Sequence, residues 1–416
     1  MDCLRAAAID HDGARGELST LREGTASGSR AKATSRADRS HVTLWLCGDV
    51  MTGRGVDQVL PHPCDPVLYE PCMTSAEGYL KLAERASGPI PRPVDFAHPW
   101  GDALEELSRV DPDARIINLE TAITRSADAS RGKGIHYRTS PENARVLAAA
   151  GIHCCALANN HVLDWGYAGL EETLDTLDSL GLRHAGAGRT LTEAEAPAIV
   201  ELVEKRRVLV YSFASTSSGV PQHWAATGAR PGVALLSDLS EPSVRRIAER
   251  VGSEKREGDV VIVSLHWGDN WGWDVPPEQR DFAHALVELA RVDVVHGHSS
   301  HHVKGIEVHR DRLILYGCGD FLDDYEGIGG FEEFRDDLGL MYFVVLDGRT
   351  GKLARLHMTP TRIVGFRVRR ASGEDAAWLA ETLNREGERF GTSVDWTDGG
   401  RLELRWDRRY AESPLR

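Results

Sequence analysis

Asp49, Glu120, Asn160, His266, His298 and His301 each follow a short apolar run, and together their types suit a metal centre. A carboxylate can bridge two cations, an amide oxygen and imidazoles can complete the shells, and imidazole favours Mn, Fe or Zn over Ca. Two cations about 3.5–4 Å apart lower the pKa of a shared water and polarise a substrate oxygen, which serves phosphoester and amide hydrolysis equally. His161 adjoins Asn160, so a ligand and a proton donor share one turn. Asp164, three residues on, has two readings: a partner that holds the His161 imidazole, or a carboxylate that favours a helix N-terminus.

Further residues flank these. Arg54 follows the Asp49 loop and reads either as a bidentate grip on a substrate carboxylate or phosphate or as a solvated loop charge. Lys133, His136 and Arg138 share a Gly-containing loop and read as solvated. Trp267, Trp271 and Trp273 suggest a wall over the centre, with Trp271 a candidate substrate contact, although packing alone accounts for Trp267. Asp320 reads as a neighbour of the site, and Asp323 and Asp324 as a solvated acidic loop. His296 and His302 are expected not to bind metal.

The elements that must position these residues are strands. Val42–Cys47, Ile116–Leu119, Cys154–Ala158, Val260–Leu265 and Val292–Val295 are short, apolar and β-prone, and each runs into a candidate ligand. In an open α/β sheet ligands gather at the carboxyl ends of strands, so residues far apart in sequence can converge. Helical patterns intervene, over Gly101–Val110, from Leu170 to Leu180 and over Pro277–Arg291, which predicts an α/β fold with a largely buried sheet. Pro61–Pro99 reads as a long irregular insertion. Residues 365–416 read as a small αβ appendage: a strand at Phe366–Val368, a capping-box start at Ser372 for a helix to Arg389, and a strand at Leu402–Trp406. Residues 1–40 read as a disordered polar tail, leaving a main domain over 41–364.

Lys and Arg number 49 and Asp and Glu 63, a net charge of −14 over 416 residues, which argues against a nucleic-acid partner. No run approaches the roughly 18 apolar residues of a membrane span, and no secretory signal is recognisable, so a cytoplasmic location is expected. The seven Cys form no framework. Cys47, Cys154, Cys155 and Cys318 read as buried thiols, and Cys64 and Cys72 as a pair that could bridge or bind metal.

Gly48-Asp49-Val50-Met51-Thr52-Gly53-Arg54, Asn118-Leu119-Glu120-Thr121, Ala158-Asn159-Asn160-His161-Val162-Leu163-Asp164-Trp165-Gly166, His266-Trp267-Gly268 and Gly297-His298-Ser299-Ser300-His301 follow one another in an order that resembles the CapA proteins. These poly-γ-glutamate capsule-synthesis proteins are a branch of the calcineurin-like metallophosphoesterase superfamily, and the resemblance covers roughly residues 41–330. It implies a four-layer α/β/β/α sandwich and two divalent ions, with Mn preferred over Fe or Zn. Asp49 would bind the first ion, Glu120 would bridge, Asn160 and His266 would bind the second, and His298 and His301 would supply the remaining imidazoles. His161 would stand beside the ions as general acid or oxyanion stabiliser. The chain departs from the superfamily in having Val50-Met51 where an Asp-x-His motif would place an imidazole, Glu120 for a bridging Asp, and Gly-His-x-x-His for Gly-His-x-His. The implied activity is hydrolysis of a γ-glutamyl or related amide-bearing small anionic compound, linked to poly-γ-glutamate metabolism. The alternatives are a phosphoesterase and a non-catalytic accessory protein of a polyglutamate or peptide-ligase system. The oligomeric state stays open.

Overall fold

The computed structural model describes residues 40–407; apart from Ser40, the expected N-terminal tail lies outside them, as do residues 408–416. The chain forms a mixed α/β fold with two large sheets. In the first, β1 (His41–Val50), β2 (Ala114–Leu119), β3 (Cys154–Ala156) and β4 (Arg183–Ala185) lie parallel in that order. In the second, β5 (Arg207–Ser215), β6 (Val260–His266), β7 (Val294–His298) and β8 (Arg312–Leu315) do the same. The chain then returns to the first sheet. There β9 (Asp320–Leu322) pairs with the end of β1, and β10 (Leu338–Asp347) runs antiparallel along β1. Next come β11 (Leu353–Ile363), β12 (Thr392–Thr397) and β13 (Arg401–Trp406), with β13 lying between β11 and β12.

The sheets are buried on both faces, as their near-continuous apolar runs require. Leu44 and Leu46 of β1, Ile116 of β2, Val208 and Val210 of β5 and Ile262 of β6 meet in one inter-sheet core. Residues one step out of phase, Trp45 and Ile117, pack instead on Leu170, Leu174 and Leu177 of the helix Gly166–Ser179. On the second sheet Leu209, Val261 and Val263 likewise face Val244 and Ile247 of the helix Glu241–Glu254 and Phe282 and Leu286 of the helix Pro277–Glu288. The two-residue period of a strand thus divides each sheet between two cores.

Three local expectations need correction. Pro61–Pro99 is not irregular throughout: it holds a helix, Ala76–Ser87, capped by Ser75 and burying Tyr79, Leu80 and Ala83, an amphipathic turn that the flanking Pro and Gly obscure. Ser372 precedes the helix Gly373–Gly387 without a side-chain cap bond. The strand expected at Phe366–Val368 falls at Val368–Arg370. β13 extends the first sheet through β11, and Leu379 and Leu383 of the last helix join the inter-sheet core. No helix among the described residues is long and apolar enough to cross a membrane.

Register places the site. Asp49 lies opposite Asn118 on the paired strands β1 and β2, and His266 opposite His298 on β6 and β7. Gly48 is obligatory: a Cβ there would stand 1.7 Å from the Gly319 carbonyl oxygen, a backbone atom that cannot give way. Gly48→Ala is therefore expected to destabilise by about 3 kcal/mol or more, the upper end for overpacking. Gly252→Ala, in an open helical position with nothing within 4 Å, should be neutral or stabilise by up to about 1 kcal/mol. Thermal unfolding of the two variants checks the contrast.

Candidate metal centre

Carboxyl ends of strands from both sheets meet in one buried cluster. Ligand atoms of Asp49, His266 and His298 all lie within 4.8 Å of one another. The two imidazoles face each other, Nδ1 to Nδ1 at 2.8 Å, which a shared proton or a cation bound by the two nitrogens would satisfy. His266 Nε2 is 3.1 Å from Asn160 Oδ1 and 3.8 Å from Glu120 Oε1. Asp49 and Glu120 flank the Asn118 amide, which donates to both. His301 stands at the edge, its Nδ1 3.0 Å from Asp320 Oδ2 and its Nε2 2.9 Å from Asn270 Nδ2. Five of the six expected ligands thus share one cluster, and His301 borders it through Asp320.

The electrostatics match that chemistry. Burial raises the pKa of Glu120, and Asp49 and Asp320 nearby raise it further. Asp49 and Asp320 are raised by the same desolvation, and Asp49 adds to it for Asp320. Burial also pushes His266 and His298 well below the usual imidazole range, which keeps them neutral and free to donate a lone pair. Clustered acids in need of positive charge, neutral imidazoles and an amide oxygen form a donor set that fits divalent transition metals.

Amides hold the carboxylates in place. Asn118 Nδ2 donates to Asp49 Oδ1 at 2.7 Å and to Glu120 Oε2 at 3.0 Å. Asn159 Nδ2 donates to Asn118 Oδ1 at 3.1 Å, and its Oδ1 accepts from the His161 and Val162 backbone N–H groups. Ser264 Oγ lies 2.7 Å from His298 Nε2. Asn118 and Asn159 stand inside the motifs but have no role in the sequence reading; the signal for them is an amide two residues before Glu120 and one directly before Asn160.

His161 lies next to the cluster, its Nε2 3.8 Å from Glu120 Oε1. Its Nδ1 is 2.6 Å from Asp164 Oδ2, so Asp164 takes the orienting role. The helix Gly166–Ser179 begins at Trp165 without a side-chain cap. Lys133, expected in solvent, is drawn in: its Nζ contacts the Asn160 carbonyl and Asp164 Oδ1 and is 2.9 Å from His161 Nδ1. Burial lowers the Lys133 pKa, and burial pushes His161 down to about 4 against the pull of Asp164. Burial would raise Asp164, but His161 and Lys133 outweigh it and hold the carboxyl low. His136 is likewise buried, and Arg138 lies over the Trp165 ring at 3.8 Å. These three side chains are drawn out of solvent because they pack onto the motif that carries His161.

The other flanking residues divide between support and lining. Arg54 is buried, its guanidinium held by Asp324 and Glu70 and covered by the Tyr79 and Tyr137 rings at 3.8 and 4.3 Å. Asp323 and Asp324 are not a solvated acidic loop: both are buried, because Asp324 answers Arg54 and Asp323 accepts from the Tyr325 backbone. Trp271 stacks on Phe331 at 3.9 Å between ring centres and lies 5.2 Å from the His301 ring. Trp267 stacks on Tyr316. His296 Nε2 is 2.8 Å from the Cys47 carbonyl oxygen, and His302 packs on Trp273 and Phe334. Cys64 and Cys72 are both free thiols.

Residues 43–325 match the family described as bacterial capsule synthesis protein PGA_cap. The chain belongs to this family. It is 49% identical over 364 residues to a probable polyglutamine synthesis accessory protein of Mycobacterium tuberculosis, covering 87% of this chain and 96% of that protein. It is 29% identical over 247 residues to the PGA biosynthesis protein CapA of Bacillus subtilis, covering 59% of this chain and 60% of that one. The capsule biosynthesis protein CapA of Bacillus anthracis is 25% identical over 287 residues, with 69% and 61% covered.

Asp49→Asn and His266→Ala should each lose bound metal, whereas His161→Ala and Lys133→Met should retain it; elemental analysis of the purified variants distinguishes these outcomes. A second expectation concerns pH in chelator-treated protein. A carboxyl whose pKa is raised by folding binds its proton more tightly in the folded state, so Asp49, Glu120 and Asp320 make stability fall as pH rises above their unfolded range. The buried imidazoles act oppositely, but only below about pH 6.5, where an unfolded histidine titrates. Above that value the imidazoles no longer oppose the acids. The rise in melting temperature on adding a divalent ion should therefore be larger at about pH 8 than at about pH 6.5.

Proposed function

We propose that the chain is a metal-dependent hydrolase acting on a γ-glutamyl or related amide bond in a small anionic compound of polyglutamate metabolism. The observation that supports this most is the pairing of two units: a buried Asp49–Glu120–Asn160–His266–His298 donor set, and His161 beside it, held by groups that are not ligands. Divalent cations, with Mn preferred for this mixed oxygen and imidazole set and Fe or Zn as alternatives, would supply Lewis-acid polarisation of the substrate oxygen. Glu120 and Asp49 would hold the ions, and Asn118 and Asn159 fix both carboxylates. The short contact to Asp164 assigns the His161 Nδ1 proton to that carboxylate and turns Nε2 toward Glu120. His161 Nε2 is then the lone-pair atom that would take a proton from the attacking water and pass it to the departing amine. Lys133 keeps Asp164 ionised, so the imidazole stays in this orientation. The division of each sheet between two cores supports the four-layer sandwich of the metallophosphoesterase superfamily.

A second reading has its own support. The 49% identical relative is described as an accessory protein of polyglutamine synthesis, so a chain that binds metal and substrate without turnover is the alternative. Phosphoester hydrolysis is the third, since the same centre polarises a phosphoryl oxygen. Metal-loaded protein should be tested in parallel on γ-glutamyl amides and on phosphoesters. We expect turnover of the amides, reduced about 10²–10⁴-fold in His161→Ala, the usual contribution of general acid–base help. Turnover of phosphoesters alone reassigns the substrate. Binding of γ-glutamyl compounds by metal-loaded protein without turnover favours the accessory role.

A further inference from the structure

Beside the metal centre lies a cavity of about 110 Å³ lined by Ile135, Trp271, Tyr325, Ile328 and Phe331, with Met73 at its wall. It meets the centre through His301 and Asn270, which line it and contact each other at 2.9 Å. Its lining is mainly aliphatic and aromatic, the common make-up of a pocket that selects an apolar group. Its volume is of the order that accepts a branched aliphatic or small aryl group, since an apolar cavity of about 150 Å³ takes benzene.

The charges around this cavity decide what it rejects. Arg54 lines it, but two carboxylates, Asp324 and Glu70, already hold its guanidinium, and Tyr79 and Tyr137 cover both faces. One cation against two acids leaves that group net negative. His301 faces Asp320, and Asp336 adds a further acid to the wall. Among the described residues lining the cavity, every cation has a carboxylate partner. A substrate carboxylate entering here would lose its hydration and meet no unspent positive charge.

We propose that this cavity binds an apolar group of the substrate, a branched aliphatic or aryl side chain on the amine side of the scissile γ-glutamyl amide. The inference rests on the hydrolase reading for which bond lies at the metal centre. It narrows the substrate class from polyglutamate itself to a γ-glutamyl compound whose next residue has an uncharged, apolar side chain. The anionic part of the substrate then lies on the metal side, where the cations receive it.

The test compares two matched ligands, γ-glutamyl-leucine and γ-glutamyl-glutamate, by calorimetric titration of full-length His161→Ala protein, with metal content measured on the same samples. Burial of one leucine side chain predicts at least about tenfold tighter binding of γ-glutamyl-leucine. Ile135→Trp, which fills the cavity, and Ile328→Asp, which adds a charge, should each abolish that preference while leaving metal content unchanged. Two variants of opposite character guard against a folding defect, which would also lower the metal content. Equal affinity, tighter binding of γ-glutamyl-glutamate, or no measurable binding of γ-glutamyl-leucine overturns the proposal. A protein that takes up no metal but keeps the tenfold preference retains the pocket and loses the hydrolase reading.

Discussion

Asp49, Glu120 and Asp320 are removed from water at the meeting point of two sheets, and among the described residues no Lys or Arg forms an ion pair with any of them. Taking a carboxylate out of water is expensive unless it is paired or protonated. Here the acids answer with raised pKa values. The surrounding structure is arranged to tolerate this group: Asn118 donates to two of the carboxylates at once, and Asn159 fixes Asn118 from behind. Gly48 allows β1 to approach the Gly319 carbonyl, which brings Asp49 alongside β9 and Asp320.

Elsewhere several buried acids are balanced by the protein's own cations. Arg54 serves Asp324 and Glu70, and Lys133 serves Asp164. A second cluster of metal-ligating type, His284, Glu307 and His309, shows the same habit. Burial would raise Glu307, but His284, Tyr316 and Arg280 hold it down at about 2. That cluster has its charge supplied already. The difference between compensated and uncompensated acids separates the candidate centre from other groups of His, Asp and Glu more sharply than residue type does.

The same contrast explains which side chains the sequence misrepresents. Arg54, Lys133, Asp323 and Asp324 occupy Gly-bearing or acidic stretches, where charges are ordinarily solvated. Arg54, Lys133 and Asp324 are buried or drawn inward because a partner distant in sequence receives each: Asp324 lies 270 residues from Arg54, and Asp164 lies 31 from Lys133, whereas Asp323 accepts from the Tyr325 backbone nearby. The helix Ala76–Ser87 was hidden for a different reason. Its apolar face is short and lies between Pro and Gly segments, and only its packing against the rest of the chain reveals it.

The order of motifs determined the family and the candidate ligand types, because a carboxylate, amide or imidazole directly after a buried apolar strand is visible in one dimension. The α/β class was equally visible, since strand and helix periods alternate along the chain. Only the tertiary structure decided how these ends converge, that Asp49, His266 and His298 close together while His301 turns to Asp320, and that Lys133 and Asp164 hold His161. It also decided that Arg54 is already paired and that an apolar cavity adjoins the centre. The physical reason is that burial and charge compensation depend on neighbours brought together by folding, and neither quantity belongs to a residue taken alone.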